Sequence, residues 1–209
     1  MYIYIFGSIC RGEIDEFSDI DLLAIIGSNE NNNTQLDTQK FSIYKEKRMA
    51  ELWKEGNPFA WHLFQESKLI HSDNNEDIII NWGKPNPYKN MESDLKKFSS
   101  LFYDSIKSIN SSEHSNTFDL SMLFLSIRNF ASCYSLGALN EFNFSRKSAL
   151  NLKTNKLNIS DESFSILERA RILSTRGSGK LISDLEKKIV LKEIDLISDW
   201  FQLILKKYE

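Results

Sequence analysis

Gly7-Ser8-Ile9-Cys10-Arg11-Gly12-Glu13-Ile14-Asp15-Glu16-Phe17-Ser18-Asp19-Ile20-Asp21 is the stretch that decides the fold. An apolar run, Met1 to Phe6, precedes it, and a second, Leu22 to Ile26, follows. The pattern predicts a strand that ends in a small-residue turn, then a second strand over Asp19–Ile26 carrying two carboxylates. Residues i and i+2 of a strand point to the same face, so Asp19 and Asp21 are expected to project together. Adjacent carboxylates repel each other unless a cation sits between them. Oxygen-only ligands in this arrangement suit Mg²⁺, which takes a few carboxylates plus substrate phosphates.

Gly-Ser, ten residues, then Asp-x-Asp resembles the active-site signature of the DNA polymerase β-like nucleotidyltransferase superfamily, above all its small bacterial members, the minimal nucleotidyltransferases. Arg11-Gly12-Glu13 after the Gly-Ser pair and Ser18 just before the first Asp match as well. Acidic pairs abound on loops, so the specific signal is the whole string between two apolar runs.

The resemblance implies Mg²⁺-dependent transfer of a nucleoside monophosphate from a nucleoside triphosphate, ATP favoured, to an acceptor hydroxyl. The acceptor is a protein, an RNA end or a small molecule. It implies that Asp19 and Asp21 are the catalytic metal ligands. Gly7 and Ser8 would bring backbone N–H groups and a hydroxyl to the β/γ-phosphates. Arg11 either pairs with a phosphate or is an exposed loop arginine. Gly12 would serve the geometry of the nucleotide-binding turn. Glu13 and Asp15 read as solvated loop acids. Some relatives modify drugs and carry a helical second domain. Others are antitoxins that adenylylate a HEPN toxin, so a protein partner and a toxin-antitoxin or defence role belong to the same expectation.

The pattern departs from the family in two ways. Active members usually carry a third carboxylate on a later strand, and the corresponding run, Phe41-Ser42-Ile43-Tyr44, has none. Asp37 and Glu66 are the remaining candidates. Members also usually have a helix before the Gly-Ser strand, and this sequence opens at that strand. The missing acid supports a second reading, a degenerate nucleotidyltransferase fold that senses nucleotide or neutralises a partner without turnover.

The chain has 209 residues, enough for one large domain or two small ones. No apolar run approaches the roughly 18 residues of a membrane span, and no basic-then-apolar leader is evident, so a cytoplasmic protein is expected. A net charge of -3 gives no support for tight nonspecific nucleic-acid binding. Cys10 and Cys133 have neither metal nor disulfide spacing and read as free thiols.

Composition changes near residue 85, where Gly83-Lys84-Pro85-Asn86-Pro87 reads as a linker. The fold class expected is a small mixed α/β (α+β) sheet domain over residues 1–85, then an all-α helical bundle over residues 90–209. In the first part, Phe41–Tyr44 and Lys68–His71 read as strands. Lys45–Glu55 and Phe59–Gln65 read as helices, the first stopped by Gly56 and the second started by Asn57-Pro58. In the second, Leu95, Phe98, Phe102, Ile106 and Ile109 recur at helical spacing, as do Leu120, Leu123, Ile127, Ala131 and Tyr134. Residues 108–117 read as a loop. A helix is expected from Asp161 to Ser174. A single long one from Lys180 to Lys206 is expected to bury Ile182, Leu185, Ile189, Leu196 and Leu203.

His62 lies in an aromatic-rich segment and reads as a hydrogen-bonded core or pocket histidine rather than a general base. Arg176-Gly177-Ser178-Gly179-Lys180 lacks the full Walker pattern and a preceding strand, so it reads as an interhelical turn. Arg128 is not followed by the histidine that a HEPN ribonuclease requires.

Overall fold

Tyr2–Phe6 (β1) and Asp21–Ile26 (β2) flank the Gly-Ser turn as antiparallel neighbours, with Phe6 opposite Asp21. The computed structural model describes residues 1–14, 20–27, 36–111 and 115–208. Phe41–Lys45 (β3) lies parallel to β2, and Ser67–Ser72 (β4) runs antiparallel to β1, giving a mixed sheet of order β3-β2-β1-β4. Between β1 and β2 the chain makes a short helix, Ser8–Arg11 (α1). Glu46–Glu55 (α2) and Pro58–Glu66 (α3) connect β3 to β4, and Ile78–Trp82 (α4) follows β4. The chain divides into two compact units, Met1–Lys89 and Asn90–Glu209.

Strand alternation decides which face of the sheet the helices cover. Tyr2, Tyr4 and Phe6 oppose Ile25, Leu23 and Asp21, so these six share a face. Its buried members pack with Met49, Leu52 and Trp53 of α2, Ala60 and Leu63 of α3, and Ile78 and Ile79 of α4. Tyr4 carries a hydroxyl into this core, where it donates to Asp77 Oδ1 at 2.7 Å. Asp77 in turn caps the first N–H groups of α4, which pins that five-residue helix to the sheet. Burial first, then the bond to Asp77, pushes the Tyr4 hydroxyl well above the usual tyrosine range.

Asn57 caps α3 by accepting from Phe59 N at 2.9 Å, and Pro58 occupies its first turn, as the sequence predicts. The Gly83–Pro87 stretch, read as a linker, is a strap packed on the N-terminal unit. Trp53 Nε1 donates to Gly83 O at 2.8 Å and Trp61 Nε1 to Asn86 O at 3.1 Å. The Asn86 N–H returns to Trp53 O, and Pro85 is buried. Gly56 ends α2 in the left-handed region at φ 64, where a Cβ would collide with the carbonyl oxygens of Asn86 and Pro87.

The second unit is helical: Met91–Ser111 (α5), Asn116–Ala138 (α6), Asp161–Arg176 (α7), Asp184–Lys192 (α8) and Ile194–Leu205 (α9). Leu95, Phe102 and Ile109 of the predicted α5 stripe are buried, and so is all of the predicted α6 stripe. Aromatic packing ties the ends of the unit together. Phe201 lies 4.6 Å from Phe102 and 4.4 Å from Phe130, ring centre to ring centre. Helix α5 continues into the stretch read as a loop, and α6 begins before its end; residues 112–114 lie outside the described residues.

The predicted single last helix is instead two, broken at Glu193. The Glu193 carboxylate accepts from the Ser160 backbone N–H and hydroxyl at 2.9 and 2.6 Å, a tertiary contact at the break. The predicted stripe lies on the wrong face of these helices, since the buried positions Val190, Ile197, Phe201 and Ile204 hold a neighbouring stripe at helical spacing. Leu185, Leu196 and Leu203 are exposed, while Val190, Ile197, Trp200, Phe201 and Ile204 are buried. No helix among the described residues is long and apolar enough to cross a membrane.

Gly177 also sits in the left-handed region, at φ 65, but a Cβ there meets nothing within 4 Å. Gly177→Ala is therefore expected to cost only the local conformational penalty, about 1 kcal/mol. Gly56→Ala must also displace the strap and is expected to cost clearly more, above about 2 kcal/mol. Denaturant midpoints of the two variants check this; equal losses would contradict the strap's packing.

Candidate active site

Gly7 has φ 79, a conformation that favours glycine, and a Cβ at this position would run into Asp21 Oδ2. The missing side chain is what lets the Asp21 carboxylate lie against the turn. Antiparallel pairing of Phe6 with Asp21 brings the two together although they are 14 positions apart. Asp21 is exposed at the start of β2, while the rest of that strand sinks into the core. Asp19, the other expected ligand, lies outside the described residues, as does Asp15; described β2 begins at Asp21.

Ser8 opens α1, and Gly12 closes it in the left-handed region. Arg11, in its last turn, is not an exposed loop arginine. Its side chain is 17% exposed and pairs with two carboxylates. Nε donates to Glu13 Oε2 at 2.8 Å, and Nη1 donates to Glu66 Oε2. Glu13, read as a solvated acid, is thus a partner of Arg11.

Glu66 is the residue whose role the sequence reading missed. It ends α3, and its side chain is only 11% exposed. His62, one turn earlier, places Nε2 2.9 Å from the same Glu66 oxygen. That distance is an ion-pair distance, but the ring N–H is poorly aimed at the oxygen, so the contact is chiefly electrostatic. His62 also packs edge-on against Phe6 and Phe59. The signal in the sequence was the i, i+4 spacing of His62 and Glu66 on one helix face.

Burial raises the Glu66 pKa, but His62 and Arg11 outweigh it and hold the carboxyl below the usual glutamate range. Cys10, beside Arg11, donates its thiol to Ile5 O at 3.4 Å, and its pKa is raised, mainly by burial.

Both candidate third carboxylates have other partners among the described residues. Glu66 is engaged with Arg11 and His62. Asp37 accepts from the Gln39 N–H at 2.9 Å and lies 3.5 Å from Lys40 Nζ, shaping the turn that leads into β3. The parallel register of Leu23 with Ser42 places Ser42 on the face that carries Asp21, so the nearest β3 side chain on that face is a hydroxyl. Among the described residues no group of three or more His, Cys, Asp or Glu side chains is placed to hold a metal. The donors that are described nevertheless fit a hard cation shared with a phosphate: an exposed carboxylate beside a turn that lacks a Cβ.

A carboxyl held below its unfolded pKa stabilises the fold above that unfolded value, near 4.3. The contribution disappears as pH falls through the lower, folded value. Acid melts of the parent are therefore expected to lose stability below about pH 4.5 more steeply than those of Glu66→Gln. Parallel pH profiles would contradict the pairing.

Residues 1–76 match the family model described as Polymerase beta, Nucleotidyltransferase. The match spans all four strands, the Gly7-Ser8 turn, Asp21 and the Arg11–Glu66–His62 cluster. No curated protein matches the chain. Residues 1–76 are thus similar to the nucleotidyltransferase domain that this family model describes.

Proposed function

We propose that the chain is a divalent-metal-dependent nucleotidyltransferase, with Mg²⁺ held by Asp19 and Asp21 and a nucleoside triphosphate, ATP favoured, seated on the Gly7-Ser8 turn. The observation that carries this reading is the Asp21 carboxylate lying in the space a Gly7 side chain would fill. When bound, the cation neutralises phosphate charge and offsets the charge that develops at the transferring phosphorus.

The chain's own residues do the rest. The first N–H groups of a helix lack partners within it, so those that open α1, with the Ser8 hydroxyl, are donors for the β/γ-phosphates. Arg11 spends donors on Glu13 and Glu66, which makes it primarily the anchor of this turn. Its positive charge still adds to the field at the phosphates. The acceptor is a protein, an RNA end or a small hydroxylated molecule, and a partner protein of the toxin-antitoxin kind fits the same chemistry.

A second reading rests on a specific observation: Ser42, not an acid, occupies the Asp21 face of β3. One metal can hold a triphosphate with few protein ligands, because phosphates and water complete its shell. Activating an acceptor hydroxyl is the step a third acid assists. Nucleotide binding with slow transfer, or nucleotide sensing alone, follows if no partner supplies that acid.

Calorimetry with Mg²⁺ and a non-hydrolysable ATP analogue tests the binding step. Asp21→Asn is expected to weaken binding by about tenfold or more, ~1.4 kcal/mol, with the melting temperature held or raised. Unchanged affinity would remove Asp21 from the site. Transfer is checked by label incorporation from nucleoside triphosphates in cell extract. The parent is expected to be slow, and Asp37→Asn to match it. Fast transfer would remove the binding-only reading.

A further inference from the structure

Arg171, in the helical unit, is a half-buried cation with no counter-ion among the described residues. It lies on α7, and its one hydrogen bond is from Nη1 to the buried Ser121 Oγ of α6, at 3.4 Å. No carboxylate pairs with it among the described residues. The nearest acid on its own helix face is Glu168, three positions back, and that carboxylate lies 3.4 Å from Arg146 Nη1 instead. Nor do the other acids of this region meet it. Glu186 takes Arg169 at 2.6 Å, and Glu193 takes Ser160.

Charges removed from water are normally paired, because desolvation of an isolated ion is costly. Desolvation first, then the like charge of Arg176, lower the Arg171 pKa. A guanidinium carries five N–H donors in a planar fork, and Ser121 uses one. None of the Arg171 nitrogens is an orphan sealed from solvent. The remaining fork is thus held from behind by Ser121 and stays reachable from outside. That combination suits a planar, two-point contact with a phosphate better than a solvated surface arginine does.

We propose that Arg171, backed by Ser121 and flanked by Arg176, is an anion site on the α6–α7 face that takes a phosphate group of a ligand. The site is built from residues of the helical unit alone and does not depend on how the N-terminal unit is read.

The test titrates inorganic phosphate into the full chain at low ionic strength, with chloride matched, followed by calorimetry. Saturable binding is expected. Arg171→Gln is expected to weaken it about tenfold and Arg171→Lys to weaken it by less, since an ammonium keeps the charge but loses the fork. Arg48→Gln, at an exposed arginine paired with Glu51 and Glu55, is expected to leave it unchanged. A competing single-stranded oligonucleotide without terminal phosphates separates the two sources. Its displacing phosphate assigns the site to a nucleic-acid backbone, and its failure assigns it to a small phosphorylated ligand. Should Arg171→Gln not fold, Arg171→Lys carries the comparison. No binding by the parent, or binding that Arg171 variants leave unaltered, overturns the proposal.

Discussion

One shielded carboxylate, that of Glu66, holds the Gly7-Ser8 end of the N-terminal unit in place. Helix α1 has four residues and buries none of its side chains. So short a helix cannot sustain itself, since nucleation is costly and its own hydrogen bonds are few. Its position is fixed from outside, by Arg11 reaching the end of α3. Glu66 can remain ionised there only because two basic groups share its oxygen. Removing Glu66 leaves Arg11 only the exposed Glu13, and removing Arg11 leaves Glu66 only His62, so either loss is destabilising. The Gly7-Ser8 turn therefore depends on Glu66, more than 50 positions away, by way of a single oxygen.

That dependence also explains what could be read from the sequence. Elements with strong local signals were legible. Gly56, Asn57 and Pro58 mark the junction of α2 and α3, and the apolar runs on either side of residues 7–21 became β1 and β2. The contact of Gly7 with Asp21 was not read, because it depends on the pairing register of β1 with β2. Arg11 was not legible, because its partner comes from a distant helix and nothing local distinguishes a pinned arginine from an exposed one. The five-residue α4 was missed because it is fixed by tertiary contacts of Tyr4 and Asp77. The long final helix was misread for a related reason. Helix propensity runs straight through Glu193, and Ser160, which meets Glu193 at the break, lies 33 positions earlier.

The family match ends at residue 76, just after the last strand, and the helical unit stands outside it. The two units also differ in how they handle polar groups. In the N-terminal unit, buried polarity gathers at one ionic cluster. In the helical unit it is spread along α6, where Ser126, Ser132 and Ser135 hand their hydroxyls to backbone carbonyls. Such serines satisfy irregular backbone, here residues 141 and 143, within a largely apolar interior. Arg171 departs from this economy, since its charge has no matching group among the described residues.

The placement of the tryptophans has an optical consequence. Three of the four, Trp53, Trp61 and Trp82, lie in the Met1–Lys89 unit, and Trp200 lies in the other. Trp53 and Trp82 have ring centres 5.2 Å apart with planes inclined at 54°, close enough for their excited states to couple. Trp200 instead donates to Asn155 O and packs against Phe130, a rigid and mostly dry setting. Near-ultraviolet dichroism thus carries a paired-indole signal from the sheet domain, and Trp200 emission reports on the helices. With Trp53, Trp61 and Trp82 replaced by phenylalanine, the remaining Trp200 emission would follow the loosening of the helices alone.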